Sequence, residues 1–212
     1  MKIIRVNNLK DATIRASGFL PKKNSSEKYI AFTGGRFGLS LLNHICERNF
    51  NIQKWKIFQT DERLMCEDKH LIQKEIIYKL SACKGFSKKN LNLFSYEENY
   101  LESLKDLEKK INNNYKRCLD LCFLSLGEDG HLAGQFQNSE RIHSNKFCIS
   151  FNAPKKPKVR ISFDVSFLSR SKQIILVSLG QGKKAALREL LEGRGIHSEI
   201  IKSKELTIIT DS

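Results

Sequence analysis

Apolar residues fall into two patterns along this chain. Short, mostly apolar runs stand at Tyr29–Phe32, Leu119–Leu126 and Ile174–Leu179, with further strand-like segments at Trp55–Thr60 and Leu206–Thr210. Runs of this length are too short for independent helices and read as strands buried on both faces. Between them the period changes to that of a helix. Leu39, Leu42, Ile45 and Cys46 share one face, Leu71–Leu80 reads as helical, and Tyr100, Leu104, Leu107 and Ile111 predict a helix over 97–111 that Asn112-Asn113-Asn114 stops. A helix is also expected from Lys183 to Glu192, a helical turn over His131–Gln137, and a short strand (Ile3–Val6) followed by a helix from Asp11. Cys148–Phe151 and Val159–Phe163 complete the strands. Strands alternating with helices predict an α/β fold: an open, mostly parallel, Rossmann-like sheet with helices on both faces, in a single domain spanning 1–212.

Composition adds one unusual number. Hydrophobic residues make up 40% and charged residues 28% of 212 positions, which is ordinary, but the net charge is +14. A basic excess points to an anionic partner. The lysines are scattered, however, and no helix-turn-helix, zinc or aromatic-basic signature accompanies them, so nucleic acid is not expected. None of the six cysteines forms Cys-x-x-Cys, and the 118/122 pair lacks partners at zinc spacing. They read as buried thiols of a reducing compartment, with no metal or cofactor. Without an apolar leader or an 18-residue apolar span, the chain is expected to be cytoplasmic and neither exported nor in a membrane.

The candidate chemistry sits where strands end. Thr33-Gly34-Gly35-Arg36 precedes a helix and can offer backbone N–H groups and a guanidinium to an anion. Asp61-Glu62-Arg63 follows the Trp55 strand, and Arg63 can clamp a carboxylate or carbonyl oxygen. Gly180-Gln181-Gly182-Lys183-Lys184-Ala185 formally matches a dinucleotide fingerprint, but only one strand remains after it, so a phosphate grip involving Lys183 is the better reading. Leu126 leads into Gly127-Glu128-Asp129-Gly130-His131. Two carboxylates and a histidine thus lie in the crevice where open α/β sheets bind ligands. Asp129 is close enough to fix the tautomer of His131, which suits a general base near neutral pH.

These loops, in this order, resemble the 6-phosphogluconolactonase family within the larger glucosamine-6-phosphate isomerase/deaminase superfamily. Thr33–Gly38 is similar to its Ser-Gly-Gly-Arg/Ser-Thr-Pro loop, Asp61-Glu62-Arg63 to its Asp-Glu-Arg, and Gly127–His131 to its Gly-Glu-Asp-Gly-His signature. Ala153–Ser162 resembles the Pro/Lys passage that ends in Arg-Ile-Thr, and Gly180–Lys184 the Gly-x-Gly-Lys-Ala segment. Phe37-Gly38, Ile72-Gln73 and Leu132 replace family Thr-Pro, Ser-Asn and Thr. The resemblance implies hydrolysis of 6-phosphoglucono-1,5-lactone without a cofactor, by a monomer or weak homo-oligomer. It implies catalytic roles for His131, Asp129 and Arg63. Substrate and phosphate contacts would fall to Gly34, Gly35, Arg36, Asp61, Gly127, Glu128, Gly130, Lys155, Arg160 and Lys183. An amino-sugar-phosphate deaminase/isomerase, or a non-catalytic sugar-phosphate-binding protein, is the alternative.

Overall fold

The structure, a computed structural model, describes residues 1–22, 25–64, 71–94, 102, 105, 108–109, 118–144, 146–195, 197–203 and 205–212. The helix expected over 97–111 lies outside them, apart from Glu102, Lys105, Glu108 and Lys109, which are helical; Cys66 lies outside them too.

Seven strands form one wholly parallel sheet in the order β1-β11-β10-β6-β2-β3-β5. They are β1 (Lys2–Arg5), β2 (Lys28–Phe32), β3 (Trp55–Gln59), β5 (Leu91–Asn92), β6 (Leu121–Ser125), β10 (Ile174–Ser178) and β11 (Leu206–Thr210). The central strands are apolar throughout because alternate residues enter different cores. Ile30, Phe32, Leu121, Phe123, Ile175 and Val177 pack with α1 (Leu9–Ser17), α2 (Gly35–Glu47) and α3 (Ile72–Leu80). Ala31, Cys122, Leu124, Ile174 and Leu176 face the opposite side, against α4 (Val165–Leu168) and α5 (Lys184–Leu191). Neither face of these strands can be polar, so no alternation survives in the sequence.

The second face also carries something the sequence pattern did not separate. β4 (Asp61–Leu64), β7 (Glu140–His143), β8 (Phe147–Phe151) and β9 (Val159–Phe163) form a distinct antiparallel sheet in the order β4-β9-β8-β7. Phe147, Phe163 and Phe94 meet at ring-centroid distances of 5.1–5.8 Å and join this sheet to the main one. Asp61-Glu62-Arg63 is therefore a strand rather than a loop at a strand's end.

Two other expectations fail. Residues His131–Gln137 form a turn closed by a Leu132–Gln135 bridge, not a helical turn, because Gly130 (φ 79°) and Ala133 (φ 50°) both lie in the left-handed region. The cysteines are not all thiols either. Cys46, ending α2, is disulfide-bonded to Cys83, just beyond α3, with Cα atoms 4.8 Å apart where the two helices pack. That separation suits a disulfide, and nothing in a 37-residue spacing announces it. No helix among the described residues is long and apolar enough to cross a membrane.

Candidate active site

Strands β1, β11, β10, β6 and β2 are consecutive neighbours, and the residues following them line a cleft of about 490 Å3. Strand order reverses between β2 and β6, which leaves a crevice at the carboxyl ends. Gly34, Gly35 and Arg36 enter the cleft at the start of α2, and Gly127, Glu128 and His131 follow β6. Gly180 and Lys183 follow β10, Asp61 and Arg63 come from β4, and Lys155 comes from the β8–β9 connection.

The β6 loop fixes the histidine. His131 Nδ1 lies 2.5 Å from Asp129 Oδ1, and the Gly127 N–H donates to the His131 carbonyl at 2.9 Å. One face of the imidazole packs on Phe136, centroid to centroid 4.5 Å, while about a third of the side chain stays exposed to the cleft. Burial raises the Asp129 carboxyl, but the hydrogen bond and charge of His131 outweigh it and hold the carboxyl below its ordinary range. With Nδ1–H donating to Asp129, Nε2 is the basic nitrogen.

Strand alternation sorts the Asp-Glu-Arg segment. Asp61 and Arg63 share the cleft face of β4; Glu62 and Leu64 point the other way and are buried. Desolvation raises the Asp61 carboxyl above its usual range, opposed by the Thr60 hydroxyl and the charges of His131, Arg63 and Arg160. Glu62, fully buried, was not anticipated as a site residue. Its carboxylate accepts the backbone N–H groups of Arg63 (2.7 Å), Ile72 (2.9 Å) and Gln73 (2.8 Å), and the Gln59 side-chain amide at 3.0 Å. It caps α3 from ten residues upstream and locks β4, hence Arg63, against that helix. Burial still pushes its carboxyl up.

Lys183 stands at the start of α5, its Nζ 3.3 Å from Ser125 Oγ. Burial, then the nearby Arg36 charge, depress its ammonium, against Glu128 and Asp211. Lys183 and Arg36 both line the cleft, at the starts of α5 and α2, where an anion would relieve their mutual repulsion.

Three expected site residues do not line the cleft: Asp129, Gly130 and Arg160. Asp129 reaches it through His131. Arg160, 7% exposed, donates to the carbonyls of Lys155, Pro157 and Val159, and its guanidinium lies 5.9 Å from the Phe136 ring. It shapes the Lys155 loop and backs the ring that supports His131. Asn8, Ser125 and Asp211 line the cleft unforeseen, and Thr33 joins its glycine loop there. Asn8 and Asp211 closely follow β1 and β11, so their place after a strand was the available signal.

Residues 15–208 match the model of a family described as glucosamine-6-phosphate isomerases/6-phosphogluconolactonase. The chain belongs to that family. A 6-phosphogluconolactonase of Borreliella burgdorferi is 28% identical over 195 residues, covering 87% of this chain and 81% of that protein. A probable 6-phosphogluconolactonase 2 of Oryza sativa subsp. indica is 28% identical over 182 residues, covering 74% of this chain and 63% of the longer rice protein. The solved 6-phosphogluconolactonase of Trypanosoma brucei superposes with a TM-score of 0.85 at 13% identity, covering 99% of this chain and 95% of that one. At that identity the likeness speaks for the α/β fold alone. In this chain the glycine loops meet Gly127, Glu128 and His131 in one cleft.

Proposed function

We propose that this chain hydrolyses 6-phosphoglucono-1,5-lactone to 6-phosphogluconate, with His131 as general base. The observation that carries the reading is the Asp129–His131 pair, whose imidazole opens onto a cleft whose other walls hold Arg36, Arg63, Lys155 and Lys183. The names of the relatives support hydrolysis of a phosphorylated sugar lactone.

Water attacks C1 as His131 Nε2 takes its proton, and the imidazolium is stabilised by Asp129. Charge growing on the carbonyl oxygen is met by Arg63. The tetrahedral intermediate collapses by breaking the bond from C1 to the ring oxygen, which receives the proton back from His131. The product is the open-chain acid, which ionises in water. Lys183, Arg36 and the N–H groups of Gly34 and Gly35 hold the phosphate, a remote handle that orients C1 for attack. Burial lowers the Lys183 ammonium, and a phosphate dianion beside it favours the charged form.

The test is enzyme-dependent opening of 6-phosphogluconolactone, with the spontaneous rate subtracted, beside an unphosphorylated gluconolactone. The phosphorylated substrate is expected to react with the higher kcat/KM, and Lys183→Ala to raise KM about tenfold or more for it alone. Equal rates on both lactones, or an unchanged KM in the variant, would remove the phosphate grip from the reading.

A further inference from the structure

We propose that His143, Cys148 and Asp164 form a second site, outside the cleft, that takes a zinc-class divalent metal ion. One donor atom from each lies within 4.8 Å of those from the other two. None of the three lines the cleft. The fold alone brings them together. His143 and Cys148 are directly opposite in the β7–β8 pair, while Asp164 follows Phe163, which pairs with Phe147 in the β8–β9 register.

The three differ in burial in the way a shallow metal site requires. Cys148 is fully buried and forms the floor, Asp164 is 8% exposed and forms a wall, and the half-exposed His143 forms the rim. That leaves the solvent side for a fourth ligand such as water. Asp164 is already oriented: its Oδ1 accepts the Ser166 N–H at 2.8 Å as the cap of α4, so Oδ2 is turned to His143 Nδ1 at 2.5 Å. Fixing a ligating carboxylate through its second oxygen is how outer contacts orient metal ligands.

The donor set selects the ion. Sulfur, imidazole nitrogen and one carboxylate oxygen suit zinc and its neighbours; magnesium and calcium prefer oxygen alone. Thiolate and carboxylate together neutralise a divalent charge, which favours binding in a chain of net charge +14. On binding, Cys148 releases its thiol proton to solvent and neutral His143 ligates through a ring lone pair. Tetrahedral zinc holds such donors roughly 3.3–3.6 Å apart. The nitrogen–oxygen pair must therefore open and the sulfur close by about 1 Å. Among the described residues β7 is an edge strand paired with β8 alone, so a shift of that size at His143 works against one strand's pairing. The ion would staple the β7–β8 hairpin to α4.

Cobalt(II) titration of the purified, chelator-treated chain tests the site, because a thiolate ligand produces an intense near-ultraviolet charge-transfer band. One equivalent is expected to bind with that band, and zinc to displace it. Cys148→Ser should abolish the band, and His143→Ala, at a half-exposed position, should weaken cobalt binding by about tenfold or more. Absence of the band, its persistence in Cys148→Ser, or unchanged affinity in His143→Ala would each overturn the proposal and leave an ordinary His143–Asp164 ion pair. Should Cys148→Ser fail to fold, the His143→Ala affinity decides.

Discussion

A Cβ on Gly127 would lie 2.1 Å from Nδ1 of His131 and 2.6 Å from Asp129 Oδ1. The glycine is what lets the imidazole lie over its own loop and still reach the aspartate. Gly127→Ala is expected to displace the ring and cut kcat by ~10²-fold, since shifts of about 1 Å in a catalytic group cost that much. Circular dichroism should show the fold retained. Wild-type kcat in this variant would mean that the ring position is not what the glycine protects.

Glu62 ties β4 to α3 through three backbone N–H groups. Glu62→Ala removes the partner of all three donors, the Ile72 one buried and the other two part-buried, and a buried unpaired donor costs about 1–3 kcal/mol. A loss of roughly 3 kcal/mol or more in urea unfolding is expected. A loss below about 1 kcal/mol would show that water or another group replaces the carboxylate.

His197 gives the fold a pH dependence. It is 2% exposed, its Nε2 lies 3.0 Å from the Gln135 carbonyl, and burial lowers its pKa to about 4. The unfolded chain takes up a proton on this histidine near pH ~6.5, whereas the folded chain does not until pH falls to about 4. Its contribution is therefore complete above pH ~6.5 and is lost on descending to about 4, a change of roughly 3 kcal/mol. Urea midpoints across that window should fall more steeply in wild type than in His197→Gln. Parallel curves would contradict this.

What could be read from the sequence follows from which side chains had a choice. Central strands such as Leu121–Ser125 face two cores, so they are written as mostly apolar runs, and the loops after them were readable as ligand sites. Asp61 and Arg63 were readable as site residues but β4 was not readable as a strand, because its four residues include three charged ones, with Glu62 buried against partners ten and eleven positions downstream. The family resemblance assigns Arg160 a substrate or phosphate contact. Its carbonyl partners at 155, 157 and 159 depend on how that loop folds back. The histidines at 143 and 197 offered no local cue, since Asp164 and Gln135 reach them only through the folded second sheet and turn.

The central claim is that His131 draws the proton from the attacking water. The direct measurement is kcat of His131→Ala on 6-phosphogluconolactone, with spontaneous opening subtracted and folding checked by urea midpoint. A fall of ~10²–10⁴-fold at near-normal stability is expected; activity close to wild type would contradict the assignment.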